Sequence, residues 1–119
     1  MKGSIIQDKS IAFALRIIRL YKYLTITAEQ KEYVLSKQLL RSGTSIGANV
    51  KEALRGQSRP DFRAKMNIAL KEADETIYWL KNLYNGKYLN DKEYNSIYHD
   101  AEELVKLLVS SIKTLKEKN

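Results

Sequence analysis

The chain contains no cysteine, one proline, five glycines and one histidine in 119 residues. The missing thiols rule out a disulfide framework and any thiolate metal site. With so few breakers the chain has few places to turn, so long helices are expected. No segment alternates with the period of two that half-buried strands require. No apolar run approaches the roughly 20 residues of a membrane-spanning helix. The start, MKGSIIQDKS, lacks the continuous apolar stretch of a signal peptide. The expectation is a single soluble domain over residues 1–119, in the cytoplasm, with a modest core.

What is present is positive charge, unevenly placed. The net charge is +7, and residues 1–60 carry 11 Lys/Arg against 4 Asp/Glu while residues 61–119 carry 10 of each. The whole excess sits in the first half. Such asymmetry points to an anionic partner or to a solvated face.

Four helices follow from the punctuation. Helix 1 is expected over roughly 5–25. Thr27 with Gln30 reads as a capping box opening helix 2, roughly 28–57. Pro60 suits the first turn of a third helix, with Arg59 held outside it, and Gly86 is placed as the residue just past its end. Asn90 with Glu93 is a second capping box, opening helix 4 over roughly 91–117. Apolar residues recur at helical spacing: Ile6, Phe13, Ile17, Leu20 and Leu24 on helix 1; Phe62, Met66, Ala69, Ala73, Ile77 and Leu80 on helix 3; Tyr94, Ile97, Ala101, Leu104, Leu108, Ile112 and Leu115 on helix 4. Short connections favour antiparallel neighbours. The predicted fold is therefore all-α, an antiparallel up-down-up-down four-helix bundle. Ile11, Leu15 and Ile18 on helix 1, and Ile68 and Trp79 on helix 3, form second apolar sets away from the main stripes. They are candidate oligomer contacts.

Helix 2 carries the most informative pattern. At about 100° per residue, Arg41, Lys51, Arg55 and Arg59 fall within about 40° of Lys37, if the helix stays regular to its end. Regular cations along one line suit phosphate contacts, which bring affinity without reading sequence. Arg16 and Arg19, with Lys9, extend the basic surface from helix 1, and eight tyrosines, Tyr23 among them, offer stacking partners for bases. A solvated face is the plain alternative. Gly43 and Gly47, four apart, clear a strip where a neighbouring backbone comes close. Ser45, Asn49 and Glu52 edge the core face and need partners there, with Glu75 or a lysine as candidates across the helix boundary.

The string RSGTSIGANVKEA, residues 41–53, with its Arg41, Ser45-Ile46, Asn49 and Glu52, resembles the signature of the 23S rRNA intervening-sequence protein family. The segment FRAKMNIALKEADETIYWLKNL, residues 62–83, resembles the same family's third helix through Ile68-Ala69 and Glu75. It departs at Lys71-Glu72, where many members carry a Gly-Ser pair. The resemblance spans roughly residues 8–115. It implies a four-helix bundle assembling into a ring-like homopentamer, with no enzymatic activity and no cofactor. It also implies a kinship with the accessory protein of diversity-generating retroelements, a basic pentamer that binds a reverse transcriptase and nucleic acid.

The residues therefore predict a non-enzymatic homo-oligomer that binds RNA or DNA, with a protein-interaction scaffold as the competing class. Enzyme readings find little support. His99 has no Glu three residues before it, which excludes the Glu-x-x-His of di-iron bundles. Glu72/Glu75 and Asp100/Glu103 are spaced to hold Mg²⁺ against a nucleotide if the two pairs face each other, a remote alternative.

Overall fold

The computed structural model describes residues 2–118, with side chains from Ile5 to Thr114; Leu115 of the expected helix 4 stripe lies outside those side chains. Four helices run α1 Lys2–Lys22, α2 Val34–Leu54, α3 Arg59–Asn85 and α4 Asp91–Lys118, with a π-helical turn at Tyr23–Thr27 after α1. Each packs on its sequence neighbours and α4 closes against α1, which gives a four-helix bundle in up-down-up-down order. The molecule measures 51 × 21 × 20 Å. Its long axis is close to the roughly 42 Å that 28 helical residues span.

The core is the set of apolar stripes brought face to face. Phe13, Ile17 and Leu24 meet Leu39, Ile46 and Val50 of α2, Met66, Leu80 and Leu83 of α3, and Ile97, Leu104 and Leu108 of α4. One polar pair is sealed among them. The Thr76 hydroxyl donates to Ser42 Oγ at 2.9 Å, and both residues are fully buried between α2 and α3. A satisfied pair of this kind avoids the cost of an unmatched buried hydroxyl.

Gly43 and Gly47 face α1. A Cβ on Gly43 would come within 2.8 Å of Ile17 Cγ1, whereas one on Gly47 would lie 3.4 Å from Ser10 Oγ and 3.6 Å from the Ser10 carbonyl oxygen. The strip cleared by the two glycines is therefore occupied by α1 of the same chain.

Besides the end of α2, at Leu54 and not near residue 57, three helix ends differ from the sequence expectation. Helix 2 begins at Val34, not near residue 28. Residues 23–27 widen into the π turn, whose last bond runs from the Ala28 amide to the Tyr23 carbonyl at 2.8 Å, so Thr27 still belongs to the end of helix 1. The cap of α2 is Glu32. Its carboxylate accepts the amides of Val34, Leu35 and Ser36 at 3.1, 3.0 and 2.7 Å. At α3 the cap is Ser58, whose hydroxyl accepts the Asp61 amide at 3.2 Å. Arg59 is thus inside the first turn, not before it. The Asn90–Glu93 capping box forms reciprocally, at 2.9 and 2.8 Å.

The third difference is at the end of α3. Gly86 has φ −78°, and the left-handed residue is Lys87, with φ 68°. The Tyr88 amide reaches the Leu83 carbonyl at 2.9 Å and the Lys87 amide reaches that of Tyr84 at 3.0 Å. These are the two bonds of a Schellman motif with Lys87 at the position that favours glycine. Lys87→Gly is expected to raise stability by about 1 kcal/mol, because a side chain in the left-handed region costs roughly 1–2 kcal/mol. Thermal or urea unfolding of the variant checks this.

Candidate nucleic-acid interface

The line of cations on helix 2 holds only in part. Lys37, Arg41 and Lys51 stand on the outer side of α2, all exposed, with Thr44 and Ala48 between them. The helix then stops. The Arg55 amide is shared among the carbonyls of Lys51, Glu52 and Ala53, and Arg55 is the C-terminal cap. Arg59 is the first residue of α3. It is near the line's end through the turn, not through helical spacing.

Arg41 is also committed. Its guanidinium bridges Glu72 at 3.3 Å and pairs with Glu75, both on α3. The Glu75 hydrogen bond, ahead of the opposing effect of burial, raises its pKa further above an already high value, so it stays charged. Glu75 thus partners Arg41. Glu52 reaches Lys65 of α3 at 3.0 Å. Asn49 Nδ2 donates to the Ser45 carbonyl at 2.9 Å and Ser45 Oγ to the Arg41 carbonyl at 2.6 Å, both within α2.

Arg16 and Arg19 do not extend the helix 2 surface. Arg16 pairs with Asp100 at 2.6 Å and donates to Ser96 Oγ at 3.1 Å, and Lys9 pairs with Glu103 at 3.2 Å. These pairings put them at the α1/α4 edge, opposite the α2/α3 edge where Arg41 is held. The two acid pairs considered for Mg²⁺ are separated in the same way. Glu72 and Glu75 lie at the α2/α3 edge against Arg41, and Asp100 and Glu103 at the α1/α4 edge against Arg16 and Lys9. They do not converge, and no cluster of three or more potential metal ligands exists among the described residues.

The cations that do come together are at the α2–α3 turn. Lys51, Arg55 and Lys65 border an open depression of about 720 Å³ over Gly56 and Gln57, where Lys65 is paired with Glu52; Arg59 and Arg63 belong to the first turns of α3 but do not line it. The acids in this region are Glu52, already paired, and Asp61. Sequence reasoning missed Lys65, because the turn that brings it beside Lys51 is not visible on a single helical wheel.

The tyrosines are partly spent on one another. Tyr84 stacks on Tyr94 with centroids 4.3 Å apart, and Tyr94 on Tyr98 at 5.5 Å. The Tyr84 hydroxyl donates to Asp91 at 2.6 Å. That bond holds the Tyr84 pKa above its ordinary value, and burial does the same for Tyr94.

The second apolar sets divide. Ile11, Leu15 and Ile18 are 59%, 46% and 36% exposed on the outer side of α1, which is a continuous unpartnered stripe. Ile68 is exposed, but Trp79 is half-buried against the core and meets Tyr78 edge-on at 4.9 Å. Both share the α3 flank that carries Glu72 and Glu75.

Fold and surface together define a small basic four-helix bundle with cations exposed at both of its ends. The family model for the 23S rRNA-intervening sequence protein matches residues 2–110, and the chain belongs to that family. It is similar to a solved protein of unknown function from the S23 ribosomal protein family of Bacteroides thetaiotaomicron, with 57% identity and a TM-score of 0.91, covering 95% of this chain and 99% of that one. No curated protein matches the chain. Among the described residues no helix is long and apolar enough to cross a membrane.

Proposed function

We propose that the protein is a non-enzymatic, homo-oligomeric accessory factor that binds the phosphate backbone of RNA or DNA through the α2–α3 turn. The observation that carries this reading is the placement of Lys51 and Arg55 on one open depression at the α2–α3 turn, with Lys65 there paired to Glu52, and Arg59 in the adjoining first turn of α3. Backbone recognition of this kind gives affinity that is strongly salt-dependent and weakly dependent on sequence. Lys37 continues the surface along α2, and Arg41 contributes less than its position on the wheel suggests, because Glu72 and Glu75 already neutralise it.

Self-association is supported by the two apolar patches. The α1 stripe and the Ile68/Trp79 flank lie on either side of α2 and are unlike each other. Joining one to the other between copies makes a head-to-tail interface, which closes into a ring if the rotation permits. A homopentamer is the ring the family resemblance implies, and a reverse transcriptase is the protein partner it suggests.

The test is binding of structured RNA, single-stranded RNA and duplex DNA at several salt concentrations, with the mass of the assembly recorded in parallel. The triple variant Lys51→Ala, Arg55→Ala, Arg59→Ala is expected to weaken binding similarly across sequences. For every phosphate left without its cation, the slope of log K against log salt should flatten by about 0.9 on duplex DNA. Unchanged affinity and slope in the triple variant would refute the surface assignment. A pentamer that binds none of the three nucleic acids would favour a protein scaffold instead.

A further inference from the structure

At the opposite end of the bundle from the α2–α3 turn, the last turns of α1 and the first turns of α4 enclose a groove of about 450 Å³. That volume falls within the roughly 300–1,000 Å³ typical of small-molecule sites, which bundles commonly place between helices. Its floor is apolar: Leu89 and Ile97 are 4% and 3% exposed. Tyr23, at the start of the π turn, contributes a ring that is 40% exposed. The rim carries Arg16, Arg19 and Lys92.

The three cations are not equivalent. Arg16 is fixed by Asp100 and Ser96. Arg19 and Lys92 are exposed and have no carboxylate within ion-pair distance among the described residues. The one acid on the rim, Glu93, is turned onto the Asn90 amide at 2.9 Å as part of the cap of α4. The groove therefore presents an apolar floor, an aromatic face, two uncommitted cations and a third held in place.

From this arrangement we infer that the α1/α4 groove binds a nucleoside monophosphate unit, either as a free nucleotide or as one residue of a single strand. The base stacks on Tyr23 over the Leu89/Ile97 floor, and the phosphate lies between Arg19 and Lys92. An aromatic ring is sequence-tolerant because every base has a π-face, and an exposed guanidinium beside an ammonium matches a phosphate in both charge and donors. A simple anion would use only the cations, and an apolar ligand would leave them idle. The assignment is independent of the α2–α3 turn, which shares no residue with the groove.

The experiment is an NMR titration of the full isotope-labelled chain with AMP, and separately with pentaadenylate, with ribose 5-phosphate as the control lacking a base. The expected result is saturable shifts at Arg19, Tyr23, Lys92 and Ile97, with ribose 5-phosphate bound about tenfold more weakly than AMP. Tyr23→Ala and Arg19→Ala should each raise Kd about tenfold. Binding of AMP alone assigns a free nucleotide, and binding of pentaadenylate alone assigns a residue within a strand. Either supports the inference. Shifts confined to the α2–α3 turn, or no groove shift with either probe, would overturn it without touching the reading of that turn. So would a Tyr23→Ala protein with unchanged Kd. Both substituted side chains are exposed, and an unchanged melting temperature confirms that the variants are folded.

Discussion

Gly43→Ala is expected to destabilise the protein by about 1–3 kcal/mol, even though alanine is the better helix former by about 1 kcal/mol. The reason is Ile17. The added Cβ would lie 2.8 and 2.9 Å from its two γ carbons and 3.2 Å from its β carbon. Those atoms sit next to the α1 backbone in a fully buried side chain, so no flexible end can swing aside. Relief requires α1 to move away from α2, which loosens the packing of Phe13, Ile17 and Leu24. The companion change, Gly47→Ala, meets Ser10 Oγ at 3.4 Å, an ordinary van der Waals distance. It should keep the propensity gain and raise stability by up to about 1 kcal/mol. Two glycines one turn apart are thus expected to respond with opposite sign. Urea midpoints of the two variants decide the matter. A double-mutant cycle with Ile17→Ala adds a control, because Gly43→Ala should cost much less once the γ carbons are gone and only the β carbon at 3.2 Å remains. Equal midpoints for both glycine variants would mean that Ile17 yields more readily than its position implies.

Much of the fold is written in the period of the apolar residues. The stripes on helices 1, 3 and 4 lie on the core side, and the Asn90–Glu93 box forms where the spacing puts it. The ends of the helices are harder to read for identifiable reasons. Thr27 and Gln30 fit a capping pattern, yet the chain keeps a helical path through a π turn, and Glu32 caps α2 from the residue before its N-cap position. A carboxylate serving three amides has no fixed spacing rule of the Ser/Thr-x-x-Glu kind. Gly86 marks the right place and the wrong residue, because the Schellman bonds need the left-handed position one step later, at Lys87.

The candidate surface shows the same limit. A helical wheel places Lys37, Arg41, Lys51, Arg55 and Arg59 on one line only if α2 is regular through residue 59. Gly56 is the available signal that it is not, since a glycine just past a run of helical residues commonly ends the helix. The ion pairs of Arg41 are beyond reach, as Glu72 and Glu75 lie 31 and 34 residues later in the chain. The spacing along one helix says which residues share a face. It does not say which face the neighbouring helix covers, nor which charges that neighbour neutralises. The α1/α4 groove is invisible for the same reason, because Tyr23 and Lys92 meet only once the bundle closes.

Glu32→Ala should lower stability by about 2–3 kcal/mol, more than a surface acid normally contributes. Loss of an N-terminal cap typically costs about 0.5–2 kcal/mol, and hydrogen bonds to a charged group contribute about 1.5–3 kcal/mol. Glu32 combines both. It is only 9% exposed, and its two oxygens take the first three amides of α2, where the helix dipole also favours a negative charge. Its own amide donates to the Leu24 carbonyl at 2.9 Å, and its carbonyl accepts the Ser36 hydroxyl at 2.6 Å. The residue therefore ties the π turn, the connection and α2 together. With the side chain removed, the three amides are left without their acceptor and the first turn of α2 should fray. Hydrogen exchange at Val34, Leu35 and Ser36 should rise well before global unfolding in Glu32→Ala. Glu32→Gln retains one acceptor oxygen and should fall between the alanine variant and the wild type. If Glu32→Gln is as stable as the wild type, the geometry of the cap matters and its charge does not. If Glu32→Ala leaves both the unfolding midpoint and those three amides unchanged, Glu32 does not hold the start of α2.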